Sequence, residues 1–230
     1  MGCVVSQTPV TQTIEEHHCW NCGEHSPSQK AARSLFCQFC NSLQAPSPDY
    51  YRFFSLPKTL AIDDEVLQHT FYQMSRLLHP DRYGRRPERE RNYSLEATAI
   101  LNDGYRILKD PVRRAEYVLR ENGFQSGGER SNEVPPELLE EVFELNMMLD
   151  ELKSGDDDVV PQLEEARNRF LAMLDSIGAE LDDEFLAHDQ ATESGSRKEV
   201  LTRIRGVLHR RRYVRNLVDE VDRQLSSRNA

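Results

Sequence analysis

From residue 63 onward the apolar residues recur at steps of three and four, and each run stops at a Pro or Gly. Asp63-Asp64-Glu65 offers an N-cap and first-turn acids, and Leu67, Phe71, Met74 and Leu78 then share one helix face until Pro80. Leu95, Thr98, Leu101, Tyr105 and Leu108 give a second face, stopped by Pro111, and a third stretch over 113–121 ends at Asn122-Gly123. Pro135-Pro136 opens a fourth, with Leu138, Leu139, Val142, Leu145 and Leu149 in its stripe, broken by Gly155 and three Asp. Residues 160–188 read as helix through Leu163, Phe170, Leu174 and Leu181. After a turn at 192–196, Val200, Ile204, Val207, Val214, Leu217, Val221 and Leu225 trace the last one. No strand alternation appears beyond residue 45. The pattern predicts a mainly α protein, and 230 residues allow one large domain or two small ones at roughly 150 residues each. Residues 82–91 read as a charged loop, 125–132 as a linker and 1–18 as a flexible tail.

The segment ahead of the helices is of another kind. Cys19, Cys22, Cys37 and Cys40 form two C-x-x-C pairs separated by 14 residues. In a reducing compartment that spacing reads as a metal site rather than two disulfides. Gly23 and Asn41 follow the second Cys of each pair, where tolerance of a left-handed backbone helps the turn. Four thiolates make a closed tetrahedral site for a structural Zn²⁺, with iron as the rival for the same soft donors and incidental thiols as the bland reading. Ala45-Pro46-Ser47-Pro48 marks a boundary, across which this module is expected to fold separately from the helices.

Composition narrows the function. The chain has 29 Lys and Arg against 39 Asp and Glu, a net charge of −10, which argues against nucleic acid as the main partner. No run approaches the roughly 18 apolar residues of a membrane helix. The first Lys is Lys30 and the first Arg is Arg33, so no secretory or mitochondrial leader is recognisable and a cytoplasmic location is expected. Met1-Gly2-Cys3-Val4-Val5-Ser6 fits an N-acylation pattern that short matches often meet by accident. There is no Gly-x-x-x-x-Gly-Lys-[Ser/Thr], no Gly-x-Ser-x-Gly and no His-Glu-x-x-His, and the helical His and Glu form no acid–base constellation. A thiol oxidoreductase built on Cys19 and Cys22 would need a βαβ context that is missing. His209-Arg210-Arg211-Arg212, with Arg203, Arg205 and Arg215 around it, lacks interleaved aromatics and reads as a face paired with acidic helices or solvated.

His79-Pro80-Asp81 is a weak motif alone, but here it sits between two amphipathic helices, at the tip of a hairpin. That arrangement resembles a J-domain, with 49–57 as its short first helix. Asp49-Tyr50-Tyr51-Arg52-Phe53-Phe54, Leu78-His79-Pro80-Asp81-Arg82, Ile100-Leu101-Asn102-Asp103-Gly104-Tyr105 and the run from Leu108 through Pro111-Val112-Arg113-Arg114-Ala115-Glu116-Tyr117 resemble HscB, the J-type co-chaperone family of iron–sulfur cluster assembly. The likeness spans about 49–227, and some members of that family carry an N-terminal double C-x-x-C.

The resemblance implies a zinc module at 19–45, a J-domain at 48–124 and a C-terminal three-helix bundle at 133–228 for scaffold binding and oligomerisation. It implies docking on an HscA- or DnaK-type ATPase chaperone through His79, Pro80 and Asp81, with Arg76 and Arg82 beside them. Pro80 would fix the turn that presents His79 and Asp81. The helix before the tripeptide opens on three acids where other J-domains are basic, and Arg82, Arg85, Arg86, Arg89 and Arg91 would stand in for that charge. The bundle would bind an IscU-type scaffold protein through Leu139, Glu140, Phe143, Glu144, Met147 and Glu151, with Tyr213. The family pattern has an apolar residue where Glu140 stands and an acid where Met147 stands. Leu139, Phe143 and Met147 are spaced i, i+4, i+8, so they share one stripe, which could equally be bundle core. The chain is then a co-chaperone and not an enzyme. The other reading is a zinc-dependent nucleic-acid-binding or adaptor protein with a J-like hairpin.

Overall fold

Aspartate side chains start three of the helices. Asp49 accepts from the Arg52 N–H ahead of α1 (Tyr50–Phe53). Asp63 accepts from Glu65 and Val66 ahead of α2 (Asp64–Leu78), and Asp110 from Val112 and Arg113 ahead of α4 (Pro111–Glu121). Each carboxylate meets otherwise unpaired first-turn N–H groups, where the helix dipole favours negative charge. The other helices are α3 (Glu88–Lys109), α5 (Leu139–Lys153), α6 (Val160–Gln190) and α7 (Ser194–Arg228). The only strands among the described residues are β1 (His17–His18) and β2 (His25–Ser26), paired antiparallel.

The structure, a computed structural model, describes residues 17–26, 35–124 and 134–228. The linker read at 125–132, the acylation pattern and most of the tail lie outside them. The protein is mainly α, as its periodicity predicts, and among the described residues no helix is long and apolar enough to cross a membrane. The chain forms two compact units. One holds Met1–Lys58 and Asp63–Arg106, the other Thr59–Ile62 and Ile107–Ala230.

In the first unit α2 and α3 form the hairpin. Leu67 and Leu78 are buried on α2, and Phe71 stacks on Tyr105 with ring centroids 4.2 Å apart. Gly104 lets α1 approach α3 closely, because a Cβ there would lie 2.9 Å from ring atoms of Tyr50 and Phe54. The inner face of α3 differs from the expected one. It runs through Glu90, Ser94, Ala97, Leu101 and Gly104, while Leu95 is 58% exposed. The segment expected as loop at 82–91 is shorter, since a 3-10 turn spans Pro80–Tyr83 and α3 begins at Glu88. The cysteine segment does not stand apart from the helices: Leu43 is fully buried and its N–H donates to the Glu90 carboxylate on α3 at 2.9 Å.

In the second unit α6 and α7 pack along their length, α5 lies on α6, and α4 lies on α7. Leu145, Leu163, Phe170, Leu181, Ile204 and Val214 form the centre of a core that Ala115 and Leu119 of α4 also enter. In this structure α4 packs on α7. Segment Thr59–Ile62 belongs here too. Leu60 enters the core, and the Leu60 and Ala61 N–H groups both donate to the Asp189 carboxylate at 2.8 Å. The basic stretch of α7 is matched by acids. Arg203 pairs with Glu184 at 2.7 Å, Arg212 with Glu116 at 3.2 Å, and Arg210 with Glu180 and Glu137.

Candidate functional site

The two C-x-x-C loops repeat one backbone pattern. In the first, Gly23 N–H donates to the Cys19 carbonyl, Cys19 N–H to the Glu24 carbonyl, and Asn21 N–H to the Cys19 sulfur at 3.4 Å. In the second, Asn41 donates to Cys37, Cys37 to Ser42, and Phe39 N–H to the Cys37 sulfur at 3.4 Å. Gly23 and Asn41 hold φ of 72° and 57°, the left-handed turn expected of them. The four sulfurs all lie within 4.8 Å of one another, with Cys19–Cys40 at 3.6 Å and Cys22–Cys37 at 3.8 Å. A tetrahedron of Zn–S bonds near 2.3 Å separates its sulfurs by about 3.8 Å, so the donor set fits a metal ion of that size. The Ser42 hydroxyl holds the Cys40 thiol down at about 6. Against a hydrogen bond from the Glu24 backbone, burial and the other three thiols push Cys22 up to about 12. Four thiolates this close need a cation among them.

These loops are keyed into α3. Trp20 donates its indole N–H to the Leu43 carbonyl at 2.7 Å, and Asn21 its side-chain amide to the Ser42 hydroxyl at 2.8 Å. The Trp20 ring meets Tyr93 edge-on at 6.4 Å, and the Arg89 guanidinium lies 5.4 Å from its centroid. Glu90, with a side chain only 6% exposed, receives the Leu43 N–H and lies 3.9 Å from Arg86. The sequence points to neither Trp20 nor Glu90. The signals that could have found them are a Trp inside a metal knuckle and a Glu on the helix phase of Ala97 and Leu101.

At the hairpin tip the last carbonyls of α2 each find a side chain. Arg82 donates to Arg76 at 3.2 Å, the Tyr83 hydroxyl to Leu77 at 3.1 Å, and Ser94 and Thr98 to Leu78 at 2.7 and 3.2 Å. These are the groups a helix end otherwise leaves to water. His79 is exposed, and its Nδ1 accepts the Asp81 N–H at 3.3 Å. With Nδ1 accepting, the neutral ring carries its proton on Nε2. The Asp81 carboxylate is 90% exposed. His79, Pro80, Asp81, Arg76 and Arg82 thus come together, with Arg82 spending one donor on the backbone.

On α5, Leu145 and Leu149 face the core, while Leu139, Phe143 and Met147 are 57%, 66% and 51% exposed. Glu140 and Glu151 are exposed beside them, and Glu144 lies 3.4 Å from Arg169. Tyr213 on α7 is half-buried against the bundle core.

Residues 134–222 match the HSCB C-terminal oligomerisation domain. The chain is 29% identical over 189 residues to the human iron–sulfur cluster co-chaperone protein HscB, covering 81% of this chain and 76% of that one. It is 34% identical over 109 residues to a co-chaperone protein HscB homolog of Vibrio vulnificus, covering 47% of this chain and 64% of the relative. The crystal structure of human HscB superimposes with a TM-score of 0.67 at 26% identity, covering 90% of this chain and 97% of the other. Over most of its length the chain is similar to HscB-type iron–sulfur cluster co-chaperones. HscB from Vibrio cholerae matches with a TM-score of 0.54 at 25% identity over 77% of this chain and 98% of its own. The matched C-terminal domain contains all of α5 and α6 and most of α7, so the exposed stripe lies inside it.

Proposed function

We propose that this protein stimulates the ATPase of an HscA- or DnaK-type chaperone and delivers an IscU-type iron–sulfur scaffold protein to it. The observation that carries the reading is the His79-Pro80-Asp81 turn. Both polar side chains stand in solvent while the backbone beneath them is held by Arg82, Tyr83, Ser94 and Thr98. A rigid polar tip of this kind binds without first losing loop entropy. Arg76 and Arg82 add positive charge at its base. The scaffold would dock on Leu139, Phe143 and Met147 with Glu140, Glu144 and Glu151 as its rim and Tyr213 contributing from α7, since an exposed apolar stripe with a charged edge has the anatomy of an interface.

Residues 48–124 serve as the J-domain and 133–228 as the scaffold-binding domain. The metal is Zn²⁺, one per chain, on Cys19, Cys22, Cys37 and Cys40, with iron the alternative for the same donors. All four positions are filled by protein, so the ion acts structurally. The protein works in the cytoplasm, where thiols stay reduced, and uses neither nucleic acid nor membrane. The test is steady-state ATPase of the cognate chaperone with wild-type protein and with His79→Gln. Loss of stimulation in a variant that still melts like wild type is the expected result, and equal stimulation by the variant would defeat the reading.

A further inference from the structure

The knuckles and the hairpin tip belong to the same unit, and one side chain stands between them. The second C-x-x-C loop ends at Ser42, and the next residue, Leu43, is fully buried. Its carbonyl takes the Trp20 indole N–H and its N–H goes to Glu90, so both loops bear on that one residue. Glu90 lies one turn before Ser94 on the inner face of α3, and Ser94 and Thr98 hold the Leu78 carbonyl, the last before His79. A buried carboxylate stripped of its N–H donor carries a large desolvation cost, so loss of the Leu43 contact must move Glu90 or bring water to it.

We propose that Glu90 is a positioning residue that couples the tetrathiolate loops to the His79-Pro80-Asp81 turn, so that metal loss loosens the turn although no thiol touches the chaperone. The consequence for ATPase stimulation rests on the reading given under Proposed function. The coupling does not. Metal occupancy becomes a condition on the tip's geometry. The thiolate loops then report metal occupancy at a turn remote in sequence.

The test is hydrogen–deuterium exchange on the full-length protein, zinc-loaded and after chelation, for wild type, Glu90→Ala and Glu90→Gln. In wild type, chelation should speed exchange over 76–83 by about tenfold, the scale of one lost hydrogen bond to a charged group, and leave 67–71 of α2 unchanged. Glu90→Ala should bind one zinc, exchange fast over 76–83 with metal present, and show no further change on chelation. Glu90→Gln keeps an oxygen for the Leu43 N–H and should keep the metal dependence. Unchanged exchange over 76–83 on chelation of wild type would overturn the proposal. So would equal acceleration along all of α2, or slow exchange in zinc-loaded Glu90→Ala. If Glu90→Ala does not fold, the wild-type and Glu90→Gln arms decide. Zinc-loaded protein that never stimulates the chaperone would defeat the functional reading while leaving the exchange result to stand.

Discussion

At the hairpin tip, the carbonyls of Arg76, Leu77 and Leu78 are held by side chains drawn from 82 to 98. On α5, the backbone is held by its own helix and only Leu139, Phe143 and Met147 distinguish the exposed face. The tip is a position set by neighbours. The stripe is a surface set by its own members. Substitutions around the tip should therefore act at a distance, whereas on α5 the residue on the stripe matters and the one beside it in sequence matters for another reason.

The largest expected effect lies in the bundle core, which frames the comparison. Phe170 is buried to 1%, so Phe170→Ala should cost roughly 3–5 kcal/mol of stability in chemical denaturation. Phe143→Ala should leave the melting temperature almost unchanged and weaken scaffold binding by roughly 1–3 kcal/mol in a titration. A large drop in melting temperature with unchanged affinity would make Phe143 ordinary core and remove the second half of the comparison. Ser94→Ala touches neither surface directly. It should cost about 1 kcal/mol of stability and lower ATPase stimulation while scaffold binding holds, because Leu78 keeps only Thr98. The smallest effect is reserved for Leu95. It is exposed on α3 despite its apolar side chain, and Leu95→Ala should change stability by less than about 0.5 kcal/mol.

The helices were legible because their core faces are apolar at helical spacing: Leu67, Phe71, Met74 and Leu78 on α2 all turn inward. The thiolate loops were legible because metal ligation demands both residue type and spacing. Leu139 reads equally as stripe or core by period, and only the helix's rotation in the bundle, with Leu145 and Leu149 inward, places it outside. The inner face of α3 was legible at Leu101 and Leu108 but not at its polar and small positions. Glu90, Ser94 and Gly104 carry no apolar signal, since their tasks are to accept an N–H, to satisfy a helix end and to leave room for α1. The same blindness hid the docking of the cysteine segment. Ala45-Pro46-Ser47-Pro48 looks like a boundary, yet Leu43 just before it is buried and bonded to α3, so a deletion through residue 46 would empty part of the first unit's core.

The central claim is that the tip and the stripe serve two different partners. One experiment tests it most directly: steady-state ATPase of the cognate chaperone, titrated with wild type, His79→Gln or Phe143→Ala, each with and without the scaffold protein. His79→Gln should give no stimulation under either condition while still binding scaffold. Phe143→Ala should stimulate like wild type without scaffold and lose most of the extra response that scaffold brings. Equal stimulation by His79→Gln and wild type, or an identical scaffold response from Phe143→Ala and wild type, would contradict the account.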